Sequence, residues 1–261
     1  MDLELAGKTF LITGGTDGLG LALARQLAVE GASVAVCGRD EERLRAAEEA
    51  VTAAAGSEGS VLAVRADVAQ ADDLAAFADS TRSRWGRIDG IVHNAGRASA
   101  GALETINDAT WEADFQLKLM AAVRLTRLAL PELRANGGAV LFTLAMAAKA
   151  PGGSSEPSSV TRAAGMALMK ALSKELAPDG VRVNAILIGL IESGQWVRAA
   201  AGADTPLETF YADFARAAGI PLGRFGRAEE FADLACFLLS ARSSYVTGTA
   251  INLDGGMSPV V

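Results

Sequence analysis

The first stretch of this chain whose residue types could do chemistry is Thr13-Gly14-Gly15-Thr16-Asp17-Gly18-Leu19-Gly20. Glycines at 14, 18 and 20 permit a tight turn and let backbone N–H groups approach a pyrophosphate, whose charge then rests at the positive start of a helix. A glycine cluster alone is weak evidence; its weight here comes from lying between an apolar first strand and a first helix. The second apolar run ends in Cys37-Gly38-Arg39, with no carboxylate to hold a free ribose 2′-hydroxyl, and Asp40 opens DEERL as a helix cap. Arg39 is then placed to meet a 2′-phosphate, which favours NADP(H) over NAD(H); a solvated loop charge is the plain alternative. His93 is the only histidine, so a Ser-His-Asp triad would have to use it, and a multi-histidine metal site is excluded. Cys37 and Cys236 form no CxxC pattern, so no thiolate metal site and no disulfide framework is expected. That usage fits the reducing cytoplasm.

The elements that must position these residues follow from the hydrophobic pattern. Short apolar runs at 8 to 13, 33 to 38, 60 to 67 and 88 to 94 alternate with helical patterns at 18 to 30, 41 to 55 and 70 to 85. A helix over 111 to 136, a strand at 139 to 145, a helix over 157 to 177 and a strand at 181 to 188 continue the rhythm, and a helix at 227 to 240 and a strand at 249 to 254 close it. Strict alternation predicts right-handed crossovers and a parallel sheet, a doubly wound three-layer α/β Rossmann fold. The strands are continuous apolar runs, as expected when helices cover both faces. Residues 190 to 220 break the pattern, polar and glycine-containing with Trp196, Tyr211 and Phe214 interspersed, and are expected to form a lid over the substrate.

A chain of 261 residues suits one large domain spanning 1 to 261. Half its residues are hydrophobic, enough for a core and against disorder. A net charge of −7 without a Lys/Arg cluster argues against nucleic acid and anionic membranes as partners, leaving small molecules and copies of itself. No apolar run reaches the roughly 18 to 20 residues that span a bilayer, and MDLELAGKTF has no signal-peptide pattern.

Five motifs in order carry a resemblance to the short-chain dehydrogenase/reductase family over nearly the whole chain. They are the 13 to 20 turn, Asp67-Val68 after the third strand, His93-Asn94-Ala95-Gly96 after the fourth, Arg182-Val183-Asn184-Ala185, and Asp254-Gly255-Gly256. The resemblance implies NADP-dependent alcohol or carbonyl chemistry on a small molecule. It puts Asp67 and Val68 near the adenine, Asn94, Ala95 and Gly96 along the cofactor, and Ile191 and Ser193 at the nicotinamide amide. Gly189 would permit close backbone approach there, although Ile188 replaces the family's usual proline. A homodimer or homotetramer built on the helices around 111 to 136 and 157 to 177 is also implied.

The family's four catalytic side chains are absent from their aligned positions. Ser158 stands for the tyrosine, Arg162 for the lysine one helical turn on, Ala145 for the serine and Lys118 for the asparagine. An aliphatic hydroxyl is far less acidic than a phenol, and a guanidinium keeps its proton. Arg162 could keep a ribose contact and a positive field, and Thr143 could offer a displaced hydroxyl. Two cations facing one pocket would lower the pKa of Lys118 and make it a proton donor or acceptor. Against this, Asp114 four residues earlier would hold Lys118 charged in an ordinary helix ion pair. Glu156 at the mouth of the next helix, or a lid tyrosine such as Tyr211, are other acids to consider; the plain alternative for Glu156 is a first-turn glutamate favoured by the helix dipole. Three functions remain open on these grounds: an oxidoreductase with a different proton source, a non-redox isomerase, dehydratase, lyase or cyclase on the same scaffold, and an inactive cofactor-binding pseudoenzyme.

Overall fold

The computed structural model describes residues 2–55 and 61–261. In chain order the N-terminal half runs β1 Thr9–Thr13, α1 Gly18–Val29, β2 Ser33–Gly38, α2 Glu41–Ala55, β3 Val61–Arg65, α3 Ala71–Trp85 and β4 Gly90–His93. The second half adds β5 Ala100–Gly101, α4 Asp108–Phe115, α5 Ala121–Asn136, β6 Ala139–Ala145, β7 Glu156–Pro157, α6 Ser158–Glu175 and β8 Arg182–Ile188. It closes with α7 Gly194–Gly202, α8 Leu207–Ala217, α9 Ala228–Leu239 and β9 Ala250–Leu253. Seven strands pair in parallel in the order β3-β2-β1-β4-β6-β8-β9, the doubly wound arrangement that the alternation predicts.

Alternate side chains of β1 point to opposite faces of the sheet. Leu11 enters a core shared with α3, α5 and α6, where Phe77, Leu125 and Met169 are buried. Phe10 and Ile12 enter the other core, against Leu23 and Leu27 of α1 and Phe231 of α9. Strand order reverses between β1 and β4, so their carboxyl ends diverge and open a crevice at the switch point. The glycine turn leaves β1 at that point and Asn94, Ala95 and Gly96 leave β4 there. Asn94 ties the two together: its Nδ2 donates to the carbonyls of Thr13 at 3.1 Å and Gly14 at 3.0 Å.

Three expectations need correction. The helix predicted over 111 to 136 begins at Asp108 and is interrupted by a π turn at Gln116–Met120, which carries Lys118. A π turn holds one residue more than an α turn, so the faces on either side of it fall out of phase, which simple periodicity does not register. Residues 190 to 220 are mostly helical, as α7 and α8, because their apolar residues fall on one face of each. Trp196 meets Phe225 edge-on at 5.5 Å and Tyr211 lies 4.7 Å from the same ring, a cluster that packs this segment. Glu156 is not in the first turn of α6 but in β7, paired antiparallel with Gly101 of β5. The remaining differences are of one to three residues at element ends; residue 60, the start of one predicted strand, lies outside the described residues.

Gly90 shows how tightly β4 is held. A Cβ there would fall 2.7 Å from the Phe10 ring and 2.8 Å from the Ala139 carbonyl oxygen. Gly90→Ala is therefore expected to cost about 1–3 kcal/mol through overpacking, read as a melting temperature lowered by several degrees. An unchanged melting temperature would mean the sheet relaxes freely around β4.

Candidate active site

The crevice is an open cleft of about 1100 Å³ running from the glycine turn to the N-terminus of α6. Gly14, Thr16, Asp17, Gly18 and Leu19 line one end, with Arg39 and Arg43 beside them; Asp67 and Val68 form the adjoining wall. Asn94, Ala95 and Gly96 lie along the floor, Ile191 and Ser193 with Gly189 opposite, and Ala145, Ser158 and Arg162 at the far end. Gly20 does not reach the cleft. It is buried, and a Cβ on it would meet the Gly14 carbonyl oxygen at 2.3 Å and Asn94 Nδ2 at 2.6 Å, so it lets α1 close against the turn. Gly189 has a packing reason of its own, since a Cβ would fall 2.7 Å from the Asp254 backbone.

The turn is shaped for an anion. Gly14 has φ +67° and Gly18 φ +50°, and the first backbone bond of α1 runs from the Leu21 N–H to the Asp17 carbonyl at 3.3 Å. That leaves the Leu19 and Gly20 amides without a backbone acceptor among the described residues, at the positive end of the helix. Asp17 caps the Gly18 N–H at 2.7 Å and pairs with Arg198 of α7 at 3.5 Å. Asp40 is engaged in capping α2, accepting from the Arg43 N–H at 3.0 Å.

At the far end the polar groups converge. Lys118 Nζ lies 2.6 Å from Asp114 Oδ1 and donates to Ser158 Oγ at 2.8 Å, with only 4% of the Lys118 side chain and none of the Asp114 side chain exposed. Asp114 Oδ2 accepts from the Thr161 hydroxyl at 2.6 Å. Ser158 Oγ also accepts from the Ser99 N–H at 3.0 Å. With N–H donors on both sides, the serine's own O–H is left to point into the cleft that Ser158 lines. Ser158 is also the first residue of the 18-residue α6, where the helix dipole favours negative charge on Oγ.

Burial decides the protonation of Lys118. Loss of water lowers its pKa to about 8, helped by the like charges of Arg162 and Arg97 and opposed by contact with Asp114. The ion pair that the i,i+4 spacing suggests is present, yet burial outweighs it in setting the lysine's pKa. Arg162, pushed down by burial but still a cation, donates from Nη1 to the Thr143 carbonyl. Its Nη2 lies 2.9 Å from where a Cβ on Gly96 would stand, so a side chain there would push the guanidinium aside.

Other candidates lie aside. His93 bonds Thr126 Oγ1 through Nε2 at 2.8 Å, and burial drives its pKa down to about 3, which keeps it a neutral structural imidazole. Tyr211 does not line the cleft, and burial with Glu192 nearby raises its pKa. Glu156 is likewise off the cleft wall. No cluster of metal-ligating side chains occurs among the described residues, and none of the helices there is long and apolar enough to cross a membrane. Arg43, Arg97, Ser99 and Thr161 were not singled out by sequence; Arg97 directly follows the His93-to-Gly96 motif, a signal that could have found it.

Residues 14–258 match the family described as enoyl-(acyl carrier protein) reductase. The chain belongs to the short-chain dehydrogenase/reductase family, whose fold and oxidoreductase character it shares. Among curated relatives, 3-oxoacyl-(acyl-carrier-protein) reductase of Thermotoga maritima is 33% identical over 261 residues, covering 98% of this chain and 99% of that protein. Among solved structures, L-sorbose reductase from Gluconobacter frateurii, complexed with NADPH and L-sorbose, superposes with a TM-score of 0.94 at 35% identity, covering 100% of both chains. An NADPH-bound short-chain oxidoreductase from Pseudomonas aeruginosa, described as containing an atypical catalytic center, gives a TM-score of 0.92 at 37% identity, covering 98% of this chain and 99% of that one.

Breaking the Lys118–Asp114 pair should be costly. Asp114→Asn is expected to lower unfolding stability by about 1–2 kcal/mol near pH 7, because the buried ammonium it leaves uncompensated gives up its proton instead, about one pH unit below the wild-type value. The variant also lowers the Lys118 pKa further, so the deficit narrows as pH rises toward about 8, where the wild-type lysine gives up its proton too. Urea unfolding of both proteins across that range checks the sign; a deficit that grows with pH would refute the assignment.

Proposed function

We propose that this protein is an NADP(H)-preferring oxidoreductase for a carbonyl or alcohol small molecule, in which Lys118 and Ser158 move the proton. The observation that carries the reading is the 2.8 Å contact of Lys118 Nζ with Ser158 Oγ, at a serine facing the cleft and backed by a lysine that titrates near 8. On the resemblance, Ser158, Arg162, Ala145 and Lys118 occupy the positions of the family's tyrosine, lysine, serine and asparagine. An aliphatic hydroxyl could not take the phenol's place alone. Coupled to Lys118 it need never exist as a free alkoxide.

The cleft fits a dinucleotide through its glycine turn, its unpaired helix-start amides and its volume. Gly14, Thr16, Asp17, Gly18 and Leu19 would hold the pyrophosphate, with Gly20 keeping the turn closed; Asp67 and Val68 would flank the adenine. Asn94, Ala95, Gly96, Gly189, Ile191 and Ser193 would hold the nicotinamide half, with Arg162 beneath the ribose. Arg39, with Arg43, supports NADP(H) over NAD(H), since both carboxylates near the end of β2 are engaged by backbone: Asp40 caps α2 and Asp67 accepts from the Ala69 N–H. Bound there, the cofactor supplies or accepts the hydride. In the reducing direction the Ser158 O–H donates to the substrate oxygen, Lys118 returns a proton to Oγ, and solvent reprotonates Lys118. Arg162 and the α6 N-terminus stabilise the negative charge that develops on the oxygen. Residues 190 to 220 would close over the substrate as a lid within a single domain, and a homo-oligomer is the proposed assembly.

The NADPH-bound neighbours support the cofactor and the class. Calorimetry should give tighter binding of NADPH than NADH, and Arg39→Leu should weaken NADPH alone, by about tenfold, the scale of one charge-assisted contact. Equal binding of both would remove the Arg39 assignment. In a carbonyl panel with NADPH, kcat for reduction should fall as pH rises through about 8, because the protonated lysine is the one required. Ser158→Ala and Lys118→Met should each lower kcat at least about 100-fold, and Lys118→Met should also remove the inflection. Full turnover by Ser158→Ala would sink the relay.

A further inference from the structure

Beyond Ser158, the reacting end of the cleft carries an excess of positive charge that the relay does not use. Three acidic residues line the cleft, Asp17, Asp40 and Asp67, and all belong to the cofactor half. At the other end stand Arg162 and Arg97, with Lys118 behind Ser158; among the described residues the one carboxylate paired with any of the three is Asp114, already spent on Lys118 and Thr161. Arg162 is spent on the Thr143 carbonyl. Arg198, farther along the wall, is paired with Asp17. Arg97 is different: it lines the cleft, it is exposed, and among the described residues its side chain has no hydrogen-bond or ion-pair partner. It lies close enough to Lys118 for its charge to help lower that lysine's pKa.

An unpaired arginine beside two further cations, in a chain of net charge −7, is a local field that the whole molecule does not explain. Its planar fork matches a carboxylate in two parallel N–H···O bonds. The cleft lining also offers apolar surface, Ala98, Ala100, Ala113, Leu117 and Trp196, beside the neutral polar side chains of Ser155, Ser159 and Gln195. Resting on the oxidoreductase reading above, we propose that the substrate is an oxo acid, or its hydroxy acid, with an apolar body, and that Arg97 binds its carboxylate while the carbonyl meets Ser158. Arg97 is thus a specificity-determining residue. A negative substrate also offsets the repulsion among the three cations, so binding raises the proton affinity of Lys118 and holds it as the donor.

Two measurements separate this inference from the redox reading. The first uses no reduction: 4-phenylbutanoate and the neutral 4-phenylbutanamide are titrated calorimetrically into the protein, with and without NADPH. The acid should bind at least about tenfold more tightly than the amide, and more weakly with added salt. R97Q should erase that preference while leaving amide affinity in place, and R97K should restore part of it. The second compares reduction of 4-phenyl-2-oxobutanoate with that of its ethyl ester, where R97Q should raise KM for the acid far more than it lowers kcat. Acid-selective binding without reduction of any carbonyl keeps the carboxylate site and removes the redox reading. Equal binding of acid and amide, binding of neither, or an acid preference untouched by R97Q overturns the carboxylate site.

Discussion

The site depends on keeping one lysine ammonium almost out of water. Desolvation works against the charge on Lys118, the contact with Asp114 works for it, and the balance falls near a pKa of 8. Were Lys118 exposed, it would stay protonated far above neutrality and could not exchange a proton near pH 7. Were Asp114 missing, the ammonium would be too costly to bury. Much of the local architecture serves this compromise: the π turn that carries Lys118 to the back of Ser158, the Thr161 hydroxyl that occupies the second Asp114 oxygen, and Arg162, which adds positive charge while its own hydrogen bond goes to the Thr143 carbonyl.

The two ends of the cleft obey different rules. At the glycine turn the work is done by backbone: residues without side chains, unpaired amides and a helix start, with Asn94 fastening β1 to β4. There a side chain is mostly an obstacle, as a Cβ on Gly20 set against the Gly14 carbonyl illustrates. At the reacting end the work is done by side chains whose charges depend on one another.

The fold was legible because its strands are apolar runs set between amphipathic or alanine-rich helices, and the sheet order follows from strict alternation. The π turn at 116 to 120 was not, since one extra residue barely disturbs hydrophobic periodicity. Nor were α7 and α8, whose apolar residues pack mainly on their own aromatic cluster and so looked like an irregular segment. Glu156 was misplaced because a carboxylate just before a helix resembles a first-turn glutamate, whereas here it belongs to a short bridge to Gly101. In the site, the i,i+4 pair of Asp114 and Lys118 was visible in the spacing, but its consequence was not. Spacing says that two charges meet; only burial says which of them can lose its proton. Thr161 and Ser99 reach Asp114 and Ser158 through tertiary contacts that no local pattern encodes, whereas Arg97 was legible by extending the 93 to 96 motif by one residue.

The chain has five lysines, at 8, 118, 149, 170 and 174, few enough to follow one by one. Carbon-13 labelling of lysine Cε and an NMR titration from neutral to alkaline pH would report each ammonium directly, with Lys118→Met assigning the signal. The account predicts one resonance, absent in that variant, that titrates near 8, well below the range of an ordinary lysine ammonium. If the Lys118 signal instead titrates in that ordinary range, the lysine is a plain charged partner of Asp114, and the proton relay through Ser158 is contradicted.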